Sequence, residues 1–513
     1  MDGSGYSIDA ETVAAFAMNP QRKSQLALIS GCALALSLRL YQLSAGPLNL
    51  DEGYTVLAAR ASLLSLFLHG PCDGNPPGSF LPYSVWLGIF GANRISTEML
   101  SVIFGVASLA LSFLLAEKMF SQGVAIKLIF LGAVSKYHLL FSQFIRIYSI
   151  AVFGSLLAAI LLVDFRLHPK KSKAVFFLLV SFVVVNLHYY AAFVVFSLLL
   201  SLSFTSRNDG QIRSFARRAV AILGLLFIPT IVWQAQVINR VHRQSWIDPI
   251  DIETLASIWY HLSSESIILL IVFLSLIASG IRNGISRPNI KPQLKILLWW
   301  LFAPLVIASL FSITGGSILH VRYFIFCLPA FLMLVANGWE LLPSRTARFL
   351  VGCVIATASA TSIHSYFHGA AKLEKDSEIY RTIAANYRAG DAVLATSKCG
   401  FVSSVYAHEF QFPEYIVTEA SSRVLSCTMG DPPEKNLFDQ TGLLRLWVVN
   451  TDCYPRRASP EGISLPELEL ITSHSFPNGT LSLYQLSPKE TPAHNRNLSA
   501  ITSPGQEVGS NNF

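Results

Sequence analysis

Apolar residues in this chain fall in long blocks separated by short polar or basic stretches, a pattern unlike the alternation of half-buried strands or the one-sided stripe of surface helices. A helix needs about 20 apolar residues to cross roughly 30 Å of hydrocarbon. On that measure eleven crossings are predicted, at 25–44, 98–117, 124–142, 147–166, 172–188, 189–206, 216–237, 265–282, 295–314, 321–340 and 346–366. Lys and Arg collect in alternate loops: Arg22 and Lys23, Lys118 and Lys127, Arg166 to Lys173, Arg207 to Arg218, Arg282 to Lys295, and Arg345 with Arg348. Basic loops stay on the cytoplasmic side, so residues 1–24 are predicted to be cytoplasmic and everything after 366 extracytoplasmic. The first crossing is expected to be retained, with no cleavable signal peptide.

Two stretches decide the register of these crossings. Residues 79–91 (SFLPYSVWLGIFG) are apolar but too short to span, which predicts an interfacial or re-entrant helix inside an outer loop at 45–97. Counting them as a crossing would invert every later loop. Residues 174–204 form one nearly unbroken apolar run, yet basic loops flank both ends, so the chain must cross twice and turn at Asn186 to Tyr190. A polar turn at that depth is tolerated only inside protein or beside a wet cavity, which points to a cavity opening on the outer side.

Composition agrees with this picture. Hydrophobic residues make up 52% of the 513 and charged residues 13%, against about 25% charged in soluble domains. A disordered chain is excluded, and the apolar surface is far more than one water-facing core could hide. The surplus of 38 Lys+Arg over 31 Asp+Glu, +7, is accounted for by topology and gives no argument for nucleic acid. Residues 25–366 thus read as a transmembrane catalytic domain.

Past residue 366 the composition changes: an amphipathic segment at Leu373 to Arg388, a Gly390-Asp391 turn, then β-rich runs at DAVLAT, EYIVT, LLRLWVVN, LELITSHSF and TLSLYQL. These predict a small α/β domain over 367–488 and a disordered tail at 489–513. The domain has no Gly-rich phosphate loop, zinc-type spacing or nucleophile elbow, so a structural or acceptor-facing role is expected. Cys72, Cys399, Cys427 and Cys453 all fall on the predicted outer face, where a disulfide within the C-terminal domain would suit an oxidising compartment.

Candidate chemistry clusters at outer junctions. Leu50-Asp51-Glu52-Gly53-Tyr54 places adjacent carboxylates just after the first crossing; in the simplest reading Asp51 caps a helix starting near Glu52. Ser142-Gln143-Phe144-Ile145-Arg146-Ile147-Tyr148-Ser149 joins the third and fourth crossings. His188, Tyr189 and Tyr190 occupy the hairpin turn, and His320-Val321-Arg322-Tyr323 opens the tenth crossing. Singly, snorkelling arginines and interfacial tyrosines are ordinary. Together they predict one pocket: arginine at membrane depth seeks an anion such as a lipid phosphate, and a nearby carboxylate can take a proton from an attacking hydroxyl.

In these residues the chain resembles the GT-C superfamily of glycosyltransferases, of the protein O-mannosyltransferase and aminoarabinose-transferase type. The pieces run in order over roughly 45–325: the acidic pair with Tyr54, Pro76-Pro77 before an aromatic helix, Ser101 to Val106, the Ser-Gln-x-x-Arg-x-Tyr-Ser element, the His188-Tyr189 turn, and Arg322-Tyr323. The resemblance implies a mainly α polytopic bundle of about eleven spans with an outer α/β domain. It implies Asp51 as general base and Glu52 as its support. Arg146 and Arg322 would grip the phosphate of a polyprenyl-phosphate sugar, and Tyr54, Tyr148, His188, Tyr189 and Tyr323 would line the pocket; Lys136, which is this chain's own and not the family's, would add a cation near the donor phosphate. The implied acceptor is a hydroxyl of a lipid, glycan or protein, at the outer face of a bacterial plasma membrane. No nucleotide motif and no particular metal ligand are implied, although a divalent cation is compatible. The chain departs from the family pattern at Phe144, where many relatives carry Glu, at Glu98 for a frequent Arg, at Lys136 for Pro and at Asn75 for His. The rival readings are a lipid-linked-sugar flippase and a family member that binds lipid without chemistry.

Overall fold

The computed structural model describes residues 19–46, 48–60, 75–205, 209–241, 247, 249–315 and 317–369, and then 376–395, 406, 414–416, 444–451, 468–476 and 479–486. It divides into two compact units, Met1–Lys375 and Asp376–Phe513. The four cysteines of the predicted outer face and the 489–513 tail lie outside the described residues; Cys32, Cys327 and Cys353 are free thiols.

Among its described residues the elements of the first unit are all helical: α1 (Pro20–Leu40), α2 (Leu50–Arg60), α3 (Leu81–Phe90), α4 (Arg94–Met119), α5 (Gln122–Ala133), α6 (Lys136–Gln143), α7 (Tyr148–Leu167), α8 (Lys171–Val185), α9 (Tyr189–Thr205), α10 (Gly210–Val241), α11 (Ile252–Leu262), α12 (Ile267–Ile285), α13 (Lys291–Gly315), a 3-10 turn (Val321–Cys327) running into α14 (Leu328–Glu340), and α15 (Arg345–His368). Each of the eleven predicted windows contains a helix or a broken pair of helices among its described residues. Among the described residues seven helices are long and apolar enough to cross a membrane, and α5 with α6 makes an eighth. The chain is therefore a multi-pass membrane protein. Of the remaining three, α8 has 15 residues, about 22 Å at 1.5 Å per residue, shorter than a bilayer core.

Three local features place the junctions. The helix at 79–91 is ten residues long, α3, entered through a 3-10 turn at Pro77–Ser79, and too short to cross. The hairpin turn falls between α8 and α9, where His188 Nδ1 accepts from the Tyr190 N–H at 3.1 Å. Gly78 packs against that turn: a Cβ there would sit 2.5 Å from the Asn186 carbonyl oxygen, so a side chain is excluded.

The window at 124–142, read from sequence as one crossing, is broken into α5 and α6 with a bend of 59°. Two side chains make the break. Ser135 caps α6, its Oγ accepting from the His138 N–H at 3.3 Å. Arg39, fully buried on α1, donates to the terminal carbonyls of α5, Ala133 at 3.1 Å and Gly132 at 3.3 Å, and reaches His138 Nδ1 at 2.8 Å. A cation there meets both orphan carbonyls and the negative end of the helix dipole. The bend turns α6 so that its end and the 144–147 connection belong to the same junction as α2.

The second unit carries α16 (Asp376–Asn386), which buries Ile379, Tyr380 and Ile383, and strands β1 (Asp391–Ala395), β2 (Glu414–Ile416), β3 (Arg445–Thr451), β4 (Leu468–Phe476) and β5 (Gly479–Leu486). The strands coincide with the five β-rich runs. They form one mixed sheet, order β2-β1-β3-β5-β4, parallel on the β1 side and antiparallel from β3 to β5 to β4. Asp391 is buried at the start of β1 and accepts from Arg445 at 2.6 and 2.8 Å, Trp447 Nε1 at 2.9 Å and the Arg388 N–H at 3.0 Å. Burial opposes its charge, but these donors hold its carboxyl below the ordinary aspartate range.

Candidate active site

The start of α2 separates the two acids. Asn49, not Asp51, caps the helix: its Oδ1 accepts from the Asp51 N–H at 2.9 Å, and its carbonyl accepts from the Glu52 and Gly53 N–H groups at 3.0 Å each. Asp51 is thereby free of the capping role of the simplest sequence reading. Its Oδ2 instead accepts from Arg322 Nη1 at 2.5 Å, an ion pair closed across 271 residues of sequence.

Glu52 turns inward. Its Oε2 reaches back three residues to the Asn49 N–H at 2.9 Å, the reciprocal half of a capping box, and its Oε1 accepts from the Ile145 N–H at 2.8 Å. The side chain therefore bolts α2 to the 144–147 connection, where Arg146 stands. Burial pushes the Glu52 carboxyl up to about 7, although the Ile145 and Asn49 N–H groups pull it down. One carboxylate of the pair is thus exposed enough to meet a substrate, and the other is held in place.

Arg146 is buried and donates from Nη1 to the Asp51 carbonyl at 3.3 Å and to Thr55 Oγ1 at 3.2 Å. Its connection is buttressed from α3 and α4: Ser101 Oγ donates to the Phe144 carbonyl at 2.7 Å, and Tyr83 OH meets Ser101 Oγ at 2.7 Å and the Arg146 carbonyl at 3.3 Å. Arg322 is steadied on its other side by His320, whose Nδ1 accepts from the Arg322 N–H at 3.2 Å and from its Nε at 3.3 Å. Burial, and then the Arg322 charge, hold His320 down at about 4, so the ring is a neutral acceptor at physiological pH.

An aromatic wall completes the junction. Tyr148 lies 5.4 Å from His188 and 6.4 Å from Tyr323 by ring centroids, and His188 lies 5.2 Å from Tyr323. Phe144, where the sequence lacked an acid, stacks nearly parallel on Tyr148 at 6.2 Å. Because His188 Nδ1 accepts from Tyr190, its proton sits on Nε2, a buried donor without a partner among the described residues and within electrostatic reach of Arg146 and Arg322.

Asp51, Glu52, Arg146, Tyr148, His188, Arg322 and Tyr323 are thus brought to one junction. Other expected residues go elsewhere. Tyr54 is buried edge-on against Phe80 at 5.9 Å, and Tyr189 donates to Gln234 Oε1 on α10 at 2.6 Å. Lys136 is paired with Glu265 at 2.6 Å. Glu98, the charge reversal of the sequence, is met by Arg94 one turn earlier at 3.0 Å and by Ser44 at 2.6 Å. No group of three His, Cys, Asp or Glu among the described residues is placed to hold a metal ion. Sequence reading missed Asn49, Thr55 and Tyr83, and quoted Ser101 without a role; of the three missed, only Asn49 carried a local signal, Asn-x-x-Glu, the capping-box spacing.

Comparison by sequence finds no matching family model and no matching curated protein. Comparison of folds does. ArnT from Cupriavidus metallidurans bound to undecaprenyl phosphate superposes with a TM-score of 0.60 at 12% identity, covering 89% of this chain and 97% of that one. The archaeal oligosaccharyltransferase AglB from Archaeoglobus fulgidus, in complex with an inhibitory peptide and a dolichol-phosphate, superposes at 0.50 with 10% identity, covering 84% and 70%. At these identities the likeness establishes the fold alone: the chain shares the architecture of these two structures.

Proposed function

We propose that the chain is an integral-membrane glycosyltransferase that moves a sugar from a polyprenyl-phosphate donor to a hydroxyl of a lipid, glycan or protein acceptor. The observation that carries this reading is the pairing of Asp51 with Arg322 while Arg146 sits on the Asp51 carbonyl, one carboxylate and two guanidiniums at a single junction. The fold neighbours bound to undecaprenyl phosphate and to a dolichol-phosphate support a lipid phosphate as the anion. The basic loops lie at the opposite ends of the same helices, which supports an extracytoplasmic site, a cytoplasmic N-terminus and an extracytoplasmic second unit.

The donor phosphate takes over Arg322, with Arg146 and the His188 Nε2–H adding donors, and so releases the Asp51 carboxylate. The acceptor hydroxyl oxygen then bonds to the anomeric carbon while the carbon–oxygen bond to phosphate breaks, its electron pair leaving with the phosphate. Attack opposite the leaving group inverts the anomeric centre. Asp51 receives the hydroxyl proton. The phosphate departs as a stable anion and needs no general acid; the arginines stabilise the charge it gains. Glu52 touches neither substrate and serves as a positioning residue.

The test is purified, reconstituted protein given undecaprenyl-phosphate sugars labelled in the sugar, with lipid, glycan and peptide acceptors. Label appearing in an acceptor supports the transferase. Label that crosses the bilayer still attached to its lipid would establish a flippase, and retention without either would leave a lipid binder.

A further inference from the structure

A second polar cluster borders the segment that carries Arg322. Lys136, at the start of α6, places its Nζ 2.6 Å from Glu265 Oε2, and His261 Nε2 lies 3.8 Å from Glu265 Oε1. The next residue, Tyr137, joins this cluster to the phosphate grip: its hydroxyl donates to the Val321 carbonyl at 2.6 Å and its ring lies 6.2 Å from that of His261. His261 is also close enough to His320 to oppose its protonation. All three side chains are partly exposed, Lys136 by 13%, Glu265 by 29% and His261 by 31%.

The backbone that presents Glu265 is strained. Ser264 and Glu265 both have φ of +58°, consecutive left-handed residues where neither is glycine. The turn is pinned there: Ser264 Oγ accepts from the Lys136 N–H at 3.2 Å, its carbonyl accepts from Ser362 Oγ, and the Glu265 N–H donates to the Tyr260 carbonyl at 2.9 Å. Strain persists only where surroundings enforce it, and it gathers at sites that must aim a side chain. His261 is aimed as well, its Nδ1 donating to the Ser257 carbonyl at 2.8 Å so that Nε2 faces Glu265.

The charges decide what such a cluster recognises. Glu265 cancels Lys136, so no net cation is offered to a phosphate. What remains outward is a carboxylate and the imidazole Nε2, acceptors suited to the hydroxyls of a neutral sugar. We propose that Glu265 and His261 form the subsite that binds the donor's sugar, with Lys136 as the positioning residue that orients Glu265. The inference rests on the proposed transferase reading, because it places the sugar next to a phosphate held by Arg322.

The experiment measures affinity of the full reconstituted chain for undecaprenyl phosphate alone and for undecaprenyl phosphate carrying mannose, glucose or galactose. For the best of these sugars, E265Q should weaken binding of the sugar-bearing lipid about tenfold and leave bare undecaprenyl phosphate within about twofold. H261N, which keeps the Lys136–Glu265 pair, should be selective in the same sense. K136M should follow E265Q, and K136R should restore selectivity. Equal losses for both lipids, no loss for either, or a change confined to the acceptor KM would overturn the subsite. R322M reads the phosphate grip separately. If the parent reading fails, the wild type transfers no labelled sugar to any acceptor; if only this inference fails, transfer survives and the sugar preference of binding is unaltered by E265Q.

Discussion

Asp51 is assigned two successive partners, and Asp51→Asn separates them. In the free protein its carboxylate competes with the donor phosphate for Arg322, at 2.5 Å and with side chains 33% and 19% exposed. Unit charges about 4 Å apart attract by about 4 kcal/mol at an effective dielectric of about 20. Lost solvation and side-chain ordering offset most of that at a partly exposed site, leaving about 1 to 2 kcal/mol. Asparagine keeps an acceptor for Arg322 but no charge, so about 1 kcal/mol is released to the incoming phosphate, a gain of about fivefold in affinity. The same substitution removes the general base, which should slow transfer about 100- to 10,000-fold. Undecaprenyl phosphate binding and sugar transfer, measured on one preparation of reconstituted protein, should therefore move in opposite directions. The gain in binding should shrink as salt is raised. Binding that is unchanged or weaker in Asp51→Asn would refute the competition, and transfer near the wild-type rate would remove Asp51 from the chemistry.

Other outcomes follow from the same geometry. Arg322→Met should cost about 2 to 3 kcal/mol of undecaprenyl phosphate affinity, read as a rise in Kd of about 30- to 150-fold. Gly78→Ala forces a methyl to 2.5 Å from the Asn186 carbonyl oxygen and should lower stability by about 1 to 3 kcal/mol, visible as a reduced Tm in detergent. Glu52 is raised to about 7, so the native state favours its protonated form; this contribution is present below the ordinary glutamate range and is lost as pH rises toward about 7, giving a Tm slope that Glu52→Gln should flatten. Asp391 is shifted the opposite way: its contribution is present above the ordinary aspartate range and is lost as pH falls through the depressed value. Amide exchange along β1 and β3 should accelerate at acid pH, and Asp391→Asn should show less of that dependence while being less protected at neutral pH.

What the linear order of residues determined here is everything that depends on local length and period. The apolar blocks specified the long helices, the ten-residue α3 that cannot span, the turn read at Asn186 to Tyr190, whose last two residues open α9, and all five strands, because crossing a bilayer and alternating across a sheet are constraints on neighbouring residues. Which side chains meet was decided by the tertiary structure. Asn49 took the cap and left Asp51 for Arg322; Lys136, a candidate phosphate ligand, found Glu265 129 residues away; and Arg39 from α1 capped the broken α5. An ion pair or a capped helix end is a match of geometry and charge between segments brought together only by packing, and no local pattern contains its partner.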